Sequence, residues 1–138
     1  MNPLNAYKET KIRTASQGQL IVMIYDEAIK QIDLATAAME ADTRKLDAIH
    51  NAIVKAQDLI TELAASLDFD RGGEIAKSLF SLYMFFRGQL LEANVKKKSE
   101  TLVSVRSMLA ELREAWVQIS KSGLEGERAG VTGVNIAG

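Results

Sequence analysis

A chain of 138 residues, 47% hydrophobic and 25% charged, is enough for one soluble domain with one core. Seventeen basic residues against eighteen acidic ones leave a net charge of -1, without the basic excess of a dedicated nucleic-acid binder. No cysteine is present, which excludes disulfides and thiolate metal sites and suits a reducing compartment.

The predicted elements are all helical. Pro3 is the only proline, and no strand-like alternation is sustained. A short first segment spans about Pro3 to Lys11, with Asn2 as cap and Pro3 in the first turn. It sets Leu4 and Tyr7 on one face and Lys8 and Lys11 on another. Such a piece is too short to be stable alone, and is expected to lie over part of an apolar groove as a removable cap. "MNPLNAYKETKIR" has no apolar core of signal-peptide type, and the apolar run Leu20 to Tyr25 is too short to cross a bilayer.

The second segment starts after Ser16, which forms a capping box with Gln19, and runs to about Glu40. The third spans about Thr43 to Leu67 with Asp42 as N-cap. "DFDRGG" breaks the chain, and the fourth segment runs from about Gly73 to Val95. "KKKS" breaks it again, and the fifth runs from Ser99 to about Ser120. From Ser122 the composition shifts, and "SGLEGERAGVTGVNIAG" is expected to be a flexible glycine-rich tail over 122–138. Residues 1–121 then form one domain, with 1–15 as the cap segment.

Leu46, Ile49, Ile53, Ala56, Ile60, Leu63 and Leu67 are spaced 3-4-3-4-3-4. Leu102, Val105, Leu109, Leu112, Trp116 and Ile119 repeat 3-4-3-4-3. These are narrow seams of bundle type. Four such helices with short connections predict an all-α, antiparallel, up-down-up-down four-helix bundle.

The fourth segment is apolar beyond such a seam. With Leu82 at the centre of its wheel, Ile75, Leu79, Phe86 and Ala93 share a face. Leu90, Tyr83 and Ala76 follow, then Phe80, Leu91 and Met84. The apolar arc is about 250°, against the 100° stripe of an ordinary bundle helix. The second segment shows a similar excess. Leu20, Ile24, Ala28 and Ala35 suit a seam, while Val22, Met23, Tyr25 and Ile29 point elsewhere. Two readings compete: the fourth helix is central and touches several neighbours, or it offers a groove to an amphipathic partner helix. The groove reading assigns partner binding to Leu20, Met23, Tyr25, Phe80, Tyr83, Met84 and Leu91.

Little in the chain points to chemistry. His50 is the only histidine, three residues after Asp47. A carboxylate-bundle di-iron site needs two Glu-x-x-His pairs and cannot be built from one chain with one histidine. His50 reads as a boundary residue of the third segment, with phosphoryl acceptance, as in histidine phosphotransfer bundles, as the alternative. "DRGGE" is flanked by acidic residues and is not a phosphate loop. Lys96–Lys98 complements a helix C-terminus. No catalytic constellation, cofactor site or metal site is expected.

The order of several stretches resembles the flagellar export chaperone FliS family. They are Tyr7, "TASQGQLIVMIYDEAI", "LDFDRGGEIAKSLFSLY", "LLEAN" and Trp116, together covering about Leu4 to Ile119. The pattern departs from the family at Gln17, often proline, at Glu27, commonly glycine, and at Met84, often polar. The resemblance implies a cytoplasmic, non-enzymatic protein that binds the C-terminal segment of newly made flagellin as helices. It also implies delivery of that client to the export gate through FlhA. It implies that Leu4 and Tyr7 belong to an N-terminal segment that moves when the client binds. No nucleic acid, cofactor or membrane insertion is implied, and the choice between monomer and weak dimer stays open.

Overall fold

A computed structural model describes residues 17–128, with side chains for residues 17–121. Its four helices are α1 (Gln17–Ala41), α2 (Leu46–Ala65), α3 (Phe69–Lys96) and α4 (Ser99–Arg128). They form the expected all-α bundle. Each helix packs against two others: α1 against α2 and α4, and α3 against the same pair. Thus α1 and α3 stand at diagonal corners. The short connections make sequential helices antiparallel neighbours.

The connections show how local chemistry sets the helix ends. Asp42 does not cap α2. Its carboxylate accepts from the backbone N–H of Arg44 at 2.9 Å and from the Arg44 guanidinium at 3.0 Å, closing a turn that delays the helix to Leu46. Asp68 does cap α3, accepting from the backbone N–H groups of Asp70 and Arg71, both at 3.1 Å. The helix therefore begins one turn before Gly73, where the sequence placed its start. Gly73 itself, at φ 51° and ψ -123°, breaks the helical path, a conformation that only glycine adopts freely. The break folds the first turn back. Phe69 and Phe80 would be ~16 Å apart along a straight helix, yet their rings meet edge to face with centroids 6.0 Å apart.

Lys97, in the left-handed region at φ 53°, ends α3. The last helix continues to Arg128, so the expected boundary at residue 121 lies inside α4. The N-terminal cap segment with Leu4 and Tyr7, the cap residue Ser16, and the last part of the tail, 129–138, lie outside the described residues.

The core confirms two seams and moves two others. In α2, Ile49, Ile53, Ala56, Ile60 and Leu63 are buried as the spacing requires; only Leu46, at the helix start, is exposed. In α4, Leu102, Val105 and Leu109 are buried, Leu112 and Trp116 pack on the core edge, and Ile119 is exposed. In α1 the buried series is Ile21, Tyr25, Ala28, Ile32, Ala35 and Met39, spaced 4-3-4-3-4, and Leu20 and Ile24 fall to its edge. In α3 the inward face holds Ala76, Tyr83, Phe86, Leu90 and Ala93, while Ile75 is 73% exposed. The inward face is centred between Tyr83 and Phe86, close to Leu90, and not on Leu82, a rotation of about 70°.

Polar links fix the register between neighbours. Arg106 and Arg113 of α4 reach Asp33 and Asp26 of α1. Gln57 Nε2 of α2 donates to the Arg87 carbonyl of α3 at 3.2 Å. The ion pairs are exposed and each contributes about 0–1 kcal/mol, so apolar burial carries the stability. Leu63→Ala removes a fully buried side chain from the seam of α2 and is expected to cost about 2–5 kcal/mol in urea unfolding.

Candidate functional site

The helix α3 carries apolar side chains on its core face and on both flanks. Two contacts mark the flank toward α2: the Gln57–Arg87 bond, and Asn94 Nδ2 with His50 Nδ1 at 3.0 Å. At about 100° per residue, Phe80, Met84, Gly88, Leu91 and Val95 line that flank just outside these contacts. Phe80 and Leu91 are exposed, Val95 is 75% exposed, and Met84 is half-buried against the core. Gly88 sits in the middle of this stripe. A Cβ there would meet nothing within 4 Å, so the stripe has an open notch. On the flank toward α4, Ile75 is exposed and Leu82 half-buried, and the facing edge of α4 adds half-buried Met108 and Leu112 and exposed Ile119. Phe85, 48% exposed, lies nearly opposite the core face.

The residues assigned from the sequence separate into three groups. Phe80, Met84 and Leu91 share the α2-side flank of α3. Leu20 and Met23 are half-buried on α1, at the diagonal corner, so the two sets form no single groove. Tyr25 and Tyr83 are not on the surface; they are 0% and 1% exposed. Leu4 and Tyr7 lie outside the described residues. Two further exposed apolar residues were not assigned from the sequence: Val95, one turn beyond Leu91 on the same stripe, and Ile75, which the wheel placed in the core.

The two tyrosines meet across the bundle diagonal. Their hydroxyls share a hydrogen bond of 2.6 Å, with ring centroids 6.4 Å apart. Each hydroxyl satisfies the other in a place where an unpaired one would cost about 1–3 kcal/mol. Burial pushes both phenols above their ordinary range, and for Tyr25 the nearby Tyr83 adds to the effect. The Trp116 indole opposes the shift at each.

His50 is exposed, and its ring is held by Asn94. Among the described residues, no group of three or more His, Cys, Asp or Glu side chains could hold a metal ion. Likewise, no helix among them is long and apolar enough to cross a membrane.

Fold and surface together define a four-helix bundle with exposed apolar flanks on α3. The sequence matches the model of the family described as "Flagellar protein FliS" over residues 1–123. It is 32% identical over 121 residues to the flagellar secretion chaperone FliS of Bacillus subtilis, covering 88% of each chain. It is 35% identical over 113 residues to the flagellar secretion chaperone FliS of Salmonella typhimurium, covering 81% of this chain and 82% of that one. The chain belongs to the FliS family.

The tyrosine pair has a pH consequence. An unfolded chain ionises tyrosine near pH 10, whereas both folded phenols ionise higher. Their stabilisation is complete below about pH 10 and is lost as pH rises further. Urea unfolding across alkaline pH is expected to show this loss, and the double variant Tyr25→Phe/Tyr83→Phe to show a shallower one.

Proposed function

We propose that this protein is a non-enzymatic flagellar secretion chaperone of the bacterial cytosol. Its client is the C-terminal segment of flagellin, which it holds as helices against the apolar flanks of α3. Holding that segment blocks premature polymerisation. The chaperone–client complex then docks on the export gate through FlhA. The observation that carries the reading is the apolar surface left on both sides of α3 after its core face is filled: Phe80, Leu91 and Val95 on one flank, Ile75 on the other. Membership of a family whose named relatives are flagellar secretion chaperones supports the same reading.

The physics is helix-in-groove recognition. A disordered segment that folds on binding loses about 2–5 kcal/mol or more in ordering, which burial of about 1,000–3,000 Å² offsets. Met84 and the aromatic Phe80 suit such a surface, because methionine adapts its shape and phenylalanine carries large apolar area. Leu20 and Met23 sit at the corner diagonal to α3, so a client that touches both sets passes around the bundle. About 40 residues make ~60 Å of helix, long enough for that path.

Calorimetric titration with a peptide of the host flagellin's last ~40 residues tests the proposal. The expected result is binding with a strongly negative heat-capacity change and a gain in helicity. Phe80→Ser and Leu91→Ser should each weaken it about tenfold or more while lowering the melting temperature far less than a core substitution, because neither side chain is in the core. Tyr83→Ala, by contrast, opens the core and should chiefly lower stability. A folded protein that ignores the peptide contradicts the assignment.

A further inference from the structure

Among the described residues Arg87 stands apart from the other arginines. Arg44, Arg71, Arg106 and Arg113 each pair with a carboxylate. Among the described residues Arg87 has no such partner, and its Nε is buried with no acceptor. The side chain is half-buried, on the edge of α3 that faces α2, where its own carbonyl is bonded to Gln57. A guanidinium that has lost water at one nitrogen and gained no acceptor is left unsatisfied. It is also placed beside an apolar stripe, where a partly excluded solvent strengthens charge–charge attraction. Next to it, Gly88 has open space where a side chain would stand, so another backbone can come close.

We infer that Arg87 takes a carboxylate from the bound segment and thereby fixes the segment's register on the α2-side flank of α3. The inference rests on the proposed function and adds a chemical requirement to it. The occupant is a client segment with one Asp or Glu set between apolar residues at helical spacing. Its apolar side chains cover Phe80 and Met84 on one side of the notch and Leu91 and Val95 on the other. The carboxylate accepts from the planar fork of Arg87, which lysine cannot reproduce. Apolar contact alone slides easily along such a stripe, whereas one charge pair selects a single alignment.

The test uses the full chain and the C-terminal flagellin peptide, together with peptides in which each Asp or Glu is replaced singly by its amide. Affinity is measured for wild type, Arg87→Gln and Arg87→Lys, with thermal melts to confirm folding. Arg87→Gln is expected to bind the parent peptide about tenfold or more weakly. One amide peptide should show the same loss on wild type and no further loss on Arg87→Gln, so that the two changes are coupled. Arg87→Lys should restore only part of the affinity, and serves as the decisive variant if Arg87→Gln does not fold. Equal affinity of wild type and the folded variants overturns the inference alone. So does a loss shared equally by every amide peptide. Failure of wild type to bind the parent peptide overturns the proposed function, and this inference with it.

Discussion

A helix in a four-membered ring has two neighbours and one inward face. That constraint governs this molecule, because α3 is apolar over far more of its circumference than one face can hide. The inward face takes Ala76, Tyr83, Phe86, Leu90 and Ala93. Most of the remaining apolar residues of α3 fall on the flanks, where Leu82 and Met84 are half-covered and Phe80, Leu91 and Val95 stand in solvent, while Phe85 lies nearly opposite the core face. Exposed apolar surface of that kind is what the proposed client would cover. The neighbouring α2 has no such excess, because its apolar residues form a narrow seam.

Which face of α3 turns inward is tied to the tyrosine pair. Tyr25 and Tyr83 come from diagonal corners and bond to each other at 2.6 Å in the core. Neither could be buried alone without an unsatisfied hydroxyl. Together they form a polar clamp that holds α1 and α3 in one rotation, with Trp116 of α4 beside both hydroxyls. With Tyr83 inward, Ile75 and Phe80 turn out toward the two flanks. The clamp thus links core packing to the surface offered to a partner. The glycine break at Gly73 adds to that surface by folding Phe69 back onto Phe80.

Much of the fold was legible in the sequence where one periodicity had no rival. The seams of α2 and α4 could be read directly, because a single 3-4 series of large apolar residues dominates each helix. In α1 and α3 the apolar residues run nearly all round, so the wheel has no unique centre. Placing Leu82 at the centre kept the tyrosine hydroxyl out of the core. The reason to place it inside is a second hydroxyl 58 positions away, which no single-helix pattern reveals. Similarly, Asp42 and Asp68 look alike as caps, but Arg44 claims the first carboxylate. Of the surface, Phe80, Met84 and Leu91 were readable as excess apolar residues. Arg87 was not, since an arginine on a helix ordinarily reads as solvated.

The account's central claim is that the flanks of α3 are the client surface. The chain has no cysteine, so a single one can report from any chosen site. The most direct measurement places an environment-sensitive fluorophore on Leu91→Cys, on Val95→Cys and, as reference, on Lys30→Cys, an exposed position of α1. Each labelled protein is titrated with the C-terminal flagellin peptide. The account predicts a blue shift at Leu91 and Val95 and none at Lys30. Binding that leaves both α3 probes in water would contradict it.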